Sequence, residues 1–327
     1  MKPFAYVNAA GEKDAIAALS PERGKFLPLA GGMDLLALMK DYIAQPDRLV
    51  NVKGLDRTIA RTPDGGLRIG AAVTLTQLGE HAEAKRMYPA LTDAAAEVGT
   101  PQIRNVGTVG GNINQRPRCW YFRNEEFACL KKGGARCYAV DGENQHHAIF
   151  GGGPCHIVHP SSLAVPSVAL DAKFRVVGPA GERVVPAGEY FELPDRNLYG
   201  ETVLAPNELL THVILPAPGA AKMATYEVRF KQSHDWPLAF ASVVVSMGGD
   251  IIRGARVVVG AVAPIPWRSA AAEAAMVGKR LTEETAIRAA EAAVQGAKPM
   301  TQNGYKVQIA RTAVKRAIMK AAGLKTA

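Results

Sequence analysis

No run of about 18 apolar residues occurs in this chain of 327 residues, so no helix able to cross a bilayer is read and membrane insertion is not expected. The start, Met1 to Val7, has one lysine but neither an apolar core segment nor a small-residue cleavage site. It is therefore not read as a secretory signal, and synthesis and cofactor loading are expected in the cytoplasm. No G-x-G-x-x-G run is found, which disfavours a Rossmann domain. The net charge of +9 comes without any recognised nucleic-acid motif. Its lysines and arginines are scattered, apart from Lys131-Lys132 and the series Lys306, Arg311, Lys315, Arg316 and Lys320. They read as a solvated face or a docking surface for an acidic partner, and nucleic acid is not an expected partner. Cysteine is scarce, four in all, and no two lie close enough to make a C-x2-4-C zinc knuckle.

What remains is a globular composition, 48% hydrophobic and 21% charged, in a chain long enough for two or three domains. The pattern begins with a strand at Phe4 to Val7 and a helix at Gly11 to Leu19. A second strand, Lys25 to Leu29, runs into Ala30-Gly31-Gly32-Met33-Asp34, and Leu35 to Met39 continues as a helix. That order lets a pyrophosphate rest on free backbone N–H groups. Further strands are read at Arg48 to Val52 and Leu67 to Ala72, and helices at Thr76 to His81 and Leu91 to Val98. A second glycine cradle follows at Ile103 to Asn112. There Gly107, Gly110 and Gly111 bare the backbone, Thr108 adds a hydroxyl, and Asn112 and Asn114 offer amides. Two such cradles about seventy-five residues apart are hard to dismiss as ordinary turns.

The cysteines, Cys119, Cys129, Cys137 and Cys155, are spaced C-x9-C-x7-C-x17-C and confined to one segment. Two disulfides would need an oxidising compartment. Zinc stays open, although zinc sites usually bring their cysteines as knuckles. A [4Fe-4S] cluster, which takes one thiolate per iron and tolerates varied loops, ranks above both. Gly133, Gly134 and Gly151 to Gly153 would let the chain wrap it, and Trp120, Tyr121 and Phe122 could shield it. His146, His147, His156 and His159 read as solvent-facing or hydrogen-bonding groups, not ligands. After this insertion come a strand at Glu208 to Leu215 and a linker at Pro216 to Gly219. Strands follow at Ala224 to Phe230, Ala239 to Met247 and Ile251 to Val262, then helices at Ser269 to Gly278, Thr282 to Ala297 and Tyr305 to Ala322. A three-stranded antiparallel sheet backed by helices is expected there.

Over essentially its whole length the chain resembles the FAD-binding subunits of the xanthine oxidase family of molybdenum hydroxylases. Cys119-Trp-Tyr-Phe-Arg-Asn, Cys129-Leu-Lys-Lys-Gly-Gly and His147-Ala-Ile-Phe-Gly-Gly-Gly-Pro-Cys155 are similar to the [4Fe-4S] insertions of periplasmic aldehyde oxidoreductase, the nearer likeness, and of 4-hydroxybenzoyl-CoA reductase. The resemblance implies an α+β fold: residues 1–218 form a two-subdomain FAD-binding domain of the vanillyl-alcohol-oxidase (PCMH) type, dividing near residue 55, with the cluster insertion at about 115–160. Residues 219–327 form a C-terminal domain like that of CO dehydrogenase flavoproteins.

It further implies that Leu29, Ala30, Gly31, Gly32, Met33, Asp34 and Leu35 wrap the FAD pyrophosphate. Thr108, Gly110, Gly111, Asn112 and Asn114 hold the phosphate and approach the flavin, and Lys231, in Phe230-Lys-Gln-Ser-His-Asp-Trp236, lies near the isoalloxazine. Asn303-Gly-Tyr-Lys306 matches the opening of the last helix. Where the family often has an aspartate that bonds FAD, this chain has Ser162, which can hydrogen-bond but carries no charge. The implied function is electron transfer without a catalytic acid, base or nucleophile in this chain, since neither a molybdopterin pocket nor a [2Fe-2S] motif is read here. A large molybdopterin subunit would oxidise an aldehyde, and a small subunit with two [2Fe-2S] centres would relay electrons to the FAD. An external acceptor such as oxygen, a quinone or a ferredoxin would take them. Alternatives are a hydroxybenzoyl-CoA reductase-type subunit and a Zn(Cys)4 docking scaffold. Family members are also carried to the periplasm on a small-subunit signal.

Overall fold

The computed structural model describes residues 1–231 and 233–326. The described residues fold around three sheets. The first is parallel and is built from β1 (Ala5–Asn8), α1 (Glu12–Ala18), β2 (Phe26–Leu29), α2 (Leu35–Lys40) and β3 (Arg48–Asn51), in the order β1-β3-β2. With β3 central, its Leu49 and Val50 are buried, one in each of two apolar clusters. The β2–β3 register, Leu29 against Asn51, delivers the first glycine turn to the end of this sheet.

The second sheet is antiparallel, ordered β4-β5-β8-β6-β7. Its first strands are β4 (Ile59–Arg61) and β5 (Leu67–Gly70). Five short helices then leave it: α3 (Leu75–Glu80), α4 (Ala82–Met87), α5 (Pro89–Glu97), α6 (Pro101–Val106) and α7 (Val109–Ile113). A largely irregular stretch opens with α8 (Trp120–Arg123) and ends at α9 (Ala164–Ala169). The strands β6 (Lys173–Gly178) and β7 (Gly181–Pro186), α10 (Ala187–Tyr190) and β8 (Leu209–Leu215) complete the unit. Leu67, Ile69, Phe174 and Val213 of the sheet pack in one core with Leu78, Leu91 and Ile113 of the helices and with Tyr88 between α4 and α5. Helix starts are fixed by local chemistry. Thr74 and Gln77 form a reciprocal capping box on α3, and the hydroxyls of Thr100 and Thr108 accept from the third residue of α6 and α7.

Those last two caps correct the sequence reading of residues 103–112 as a bare loop. The glycines there lie in or next to short helices, because Pro101 at a helix start and two threonine caps outweigh the low helix propensity of glycine.

The third sheet is β12-β11-β10-β9. Its long strands β9 (Lys222–Val228), β10 (Ala239–Gly248) and β11 (Ile251–Gly260) lie where the alternating pattern placed them, and a two-residue strand, β12 (Trp267–Arg268), adds an edge. The helices α11 (Ala270–Met276), α12 (Glu283–Ala293) and α13 (Tyr305–Ala322) cover one face. Ala241, Val243 and Val245 point to these helices, whose Ala286, Ala289, Ala313 and Ala317 permit close approach. Phe240 and Val258 point the other way and belong to the core of the second unit. A Cβ on Gly260 would lie 2.2 Å from the Phe240 ring and 2.7 Å from Val165, so this sheet is wedged tightly against α9.

Candidate functional site

The first and second glycine segments face each other across an open cleft of about 540 Å³. Leu29, Ala30, Gly31, Gly32, Met33, Asp34 and Leu35 line one side. Thr108, Gly110, Gly111, Asn112, Asn114 and Ser162 line another. Gly31 shows why the loops need glycine: a Cβ there would lie 2.2 Å from the Val106 carbonyl oxygen and 3.0 Å from Gly107 Cα. Gly32 has φ +75°, a left-handed conformation that costs glycine little. Among the described residues, none of the backbone N–H groups of Gly31, Gly32, Met33 and Asp34 finds a backbone acceptor. They remain available to an anionic group in the cleft.

The side chains expected to meet the ligand are partly committed elsewhere. Thr108 Oγ1 accepts from Gly111 N at 3.1 Å. Asn112 Oδ1 accepts from Ser161 Oγ at 2.7 Å and Leu163 N at 3.2 Å, which ties α7 to the turn before α9. Asn114 donates to Gly110 O, and its Oδ1 accepts from Tyr190 OH at 2.7 Å. Asp34 is held by Arg118 at 2.8 Å, by Arg123 at 2.6 Å and by Arg116 N at 2.8 Å. These residues shape the cleft, and the bare backbone is what they present to it. Lys231 does not line the cleft: it is exposed, and its backbone N–H donates to Asp235 Oδ2 at 3.3 Å. His234, Asp235 and Trp236 of the same segment reach the cleft instead; Gln232 lies outside the described residues.

The local pattern did not single out Arg118, Glu201 and Glu227, which line the cleft together with Trp236 of the segment the resemblance placed there. Arg118 stacks over the Trp236 ring, 4.5 Å from its centroid, and burial brings its pKa down to about 10 against the support of Asp34. It stays a cation at neutral pH. Glu201 pairs with Arg116 at 2.7 Å and with the buried Lys131 at 2.8 Å. Adjacency to Cys119 was the only sequence signal for Arg118, and only the folded chain brings the two glutamates to the cleft.

The cysteine segment packs beside this site. All four thiols are free of disulfides. Cys137 and Cys155 share a hydrogen bond in which Cys155 keeps the proton, so the Cys137 thiol is pushed down and that of Cys155 up. Burial raises Cys119 to about 11, with further push from the neighbouring Cys129 and Cys137. His147 Nε2 lies 3.2 Å from Cys119 Sγ, and burial lowers that imidazole to about 4. His147 and His159 are thus buried and neutral, His147 beside Cys119 Sγ and His159 accepting from Ser161 N at 3.3 Å, so of the two readings of these histidines the hydrogen-bonding one holds for this pair. Tyr121 packs against Phe127, Tyr138 and His147, so aromatic rings do enclose the segment. Among the described residues, no group of three or more His, Cys, Asp or Glu side chains is arranged to hold a metal ion. The four cysteines supply four free sulfur donors within one segment, Cys137 beside Cys155 and Cys119 beside His147.

Residues 2–218 match the family model described as the FAD binding domain in molybdopterin dehydrogenase. Residues 224–321 match that of the CO dehydrogenase flavoprotein C-terminal domain. The chain belongs to the FAD-binding medium subunits of the xanthine oxidase family of molybdenum hydroxylases. Its relatives include the aldehyde oxidoreductase FAD-binding subunit PaoB of Escherichia coli K12, 35% identical over 95% of this chain and 96% of that protein. The carbon monoxide dehydrogenase medium chain of Hydrogenophaga pseudoflava is 27% identical over 93% and 92%. A solved carbon monoxide dehydrogenase from the same organism, lacking the Mo-pyranopterin moiety, is 29% identical, with a TM-score of 0.77 and 99% of each chain covered.

This medium subunit is therefore an oxidoreductase component that binds FAD. The cleft fits the cofactor: glycines close two loops where any Cβ would collide, and unpartnered N–H groups line one wall. An apolar floor that includes Leu35, Leu38 and Leu75 lies alongside them.

Proposed function

We propose that this medium subunit is the electron-transfer flavoprotein of a heterotrimeric aldehyde oxidoreductase. Electrons from the [2Fe-2S] centres of a small partner subunit, fed by a large molybdopterin subunit, would pass through FAD to an external acceptor. We further propose that Cys119, Cys129, Cys137 and Cys155 hold a [4Fe-4S] cluster. Bound FAD supplies the exchange between single-electron carriers and a two-electron acceptor. The chain's own residues would bind and orient it: the 31–34 backbone would meet its anionic part, Arg118 and Trp236 line the same cleft, and Asp34 ties that cradle to the segment carrying Cys119. The observation that carries the FAD reading is the close approach of the two glycine segments. The substrate class is supported by the 35% identity to an aldehyde oxidoreductase subunit over nearly the full length. The cluster is supported by the donor set alone, four free thiols in one segment, two buried and two half-buried.

The test is anaerobic purification of the chain, alone and with its partners, and assay of iron, zinc and FAD on the same sample. One FAD and about four irons per polypeptide, beyond any partner's share, are expected, with Cys137→Ala removing the iron. Zinc in place of iron overturns the cluster, absence of flavin overturns the electron-transfer reading, and a complex that ignores aldehydes overturns the substrate class.

A further inference from the structure

Glu227 stands on β9, in the C-terminal unit, yet its side chain forms part of the cleft wall together with Ser162. The side chain is only 5% exposed. Its Oε2 accepts from Arg229 Nε at 3.0 Å, whereas its Oε1 is buried and has no hydrogen-bond partner among the described residues. A buried carboxylate oxygen without a donor is costly, and native interiors rarely keep one unless something outside the chain satisfies it. The groups facing this carboxyl are few. Arg229 lies on the same strand, Glu97 ends α5, and the Ser162 hydroxyl is close enough to favour the anion. Burial pushes Glu227 up to about 7, against the opposing pull of Arg229 and the Ser162 hydroxyl.

We propose that Glu227 is a cofactor-binding residue: beside Ser162, its carboxylate accepts a hydrogen bond from a donor group of bound FAD. The assignment rests on the FAD reading of the cleft. The chemistry narrows which part of the cofactor it meets. A pyrophosphate has only acceptor oxygens and repels a carboxylate, so Glu227 faces a hydroxyl of the ribityl or ribose chain, or a ring N–H. The serine supplies a neutral hydroxyl at this point, and the charge comes from a strand 65 residues further on. This also places a flavin contact on the C-terminal unit, so that both units grip the cofactor.

The full-length chain, stripped of FAD, is titrated with FAD by flavin fluorescence, and the melting temperature of each FAD-free protein is recorded. Glu227→Ala is expected to weaken binding about tenfold, the loss of one charge-assisted hydrogen bond. Glu227→Gln, which keeps the shape and an acceptor oxygen but no charge, should weaken it about threefold. The double variant Glu227→Ala with Ser162→Asp returns a carboxylate to the vacated space and should recover affinity to within about threefold of the original chain. Arg229 keeps Glu97 as a partner in every variant, which protects the fold. If the alanine variant fails to fold, the glutamine variant decides. Unchanged affinity in both single variants overturns the assignment, as does loss in the alanine variant that Ser162→Asp does not restore. If the unsubstituted chain takes up no FAD, the cofactor reading itself falls.

Discussion

Gly31→Ala should loosen flavin binding far more than one methyl group suggests. The added Cβ would lie 2.2 Å from the Val106 carbonyl oxygen, against a usual C···O approach of roughly 3.3 Å, so the two cradles must separate by about 1 Å. The obstructing atom is backbone, so no rotamer change relieves it. Overpacking of this kind costs typically 1–3 kcal/mol. Because both loops line the cleft, we expect the FAD dissociation constant to rise at least tenfold, by fluorescence titration of the FAD-free chain. The melting temperature should fall by about 2–4 °C for each kcal/mol. Gly304→Ala is the control: that residue precedes α13 with φ −57° and nothing within 4 Å, so alanine there should stabilise by up to about 1 kcal/mol and leave FAD affinity alone. Wild-type FAD affinity in Gly31→Ala would refute the view that the touching loops form the binding site.

Three further changes probe the supports of the site. Lys306→Met should cost about 3 kcal/mol in thermal unfolding and expose residues 141–160 to protease, because the buried ammonium donates to the carbonyls of His146, His147 and Ala261; an unchanged melting temperature refutes that role. Asp34→Asn should cost roughly 2 kcal/mol and speed alkylation of Cys119, since it releases Arg118 and Arg123, and equal alkylation rates count against the tie. Asp56 supplies a pH signature. Burial alone would raise its carboxyl, but His212 at 2.9 Å and Thr58 hold it down at about 2. Its contribution, at most about 2 kcal/mol after allowance for partial exposure, is complete above the unfolded value near 4 and is lost as pH falls through about 2. The stability gap between the wild type and Asp56→Asn should close over that window in pH-dependent denaturant unfolding; a constant gap refutes the assignment.

What could be read in advance follows the range of the interactions. The alternation in β10 and β11 and the three- and four-residue spacing of α13 are local, and Tyr305–Ala322 falls where that spacing put it. Glycine pairs were legible as cradles because close backbone approach demands them whatever their neighbours. The helices α6 and α7 were not, since their starts depend on threonine caps that read equally well as loop hydroxyls. The ties of Asp34 to Arg118 and Arg123 were hidden because those partners lie more than eighty residues away. Glu227 stayed hidden for the same reason: a strand residue of the C-terminal unit gives no local sign that it reaches a cleft in the other.

The cysteine segment looks like an appendage in sequence, yet it is pinned to every other part of the molecule. Arg118 and Arg123 fasten it to the first cradle through Asp34. Lys131, buried, pairs with Glu201 on the cleft wall and donates to the carbonyls of Leu198 and Gly200. Asn144 exchanges hydrogen bonds with Thr301 and Gln302, and Asn303 and Lys306 hold the carbonyl of His147 from the C-terminal side. Buried ionic ties add little net stability but are costly to break singly, so they fix geometry more than they stabilise. The consequence is a fixed position for the four thiols relative to the cleft. Asp34 and Glu201 carry those ties, so substitution at either should alter FAD affinity and thiol reactivity together, by fluorescence titration and alkylation rate, and a change in one alone refutes the coupling.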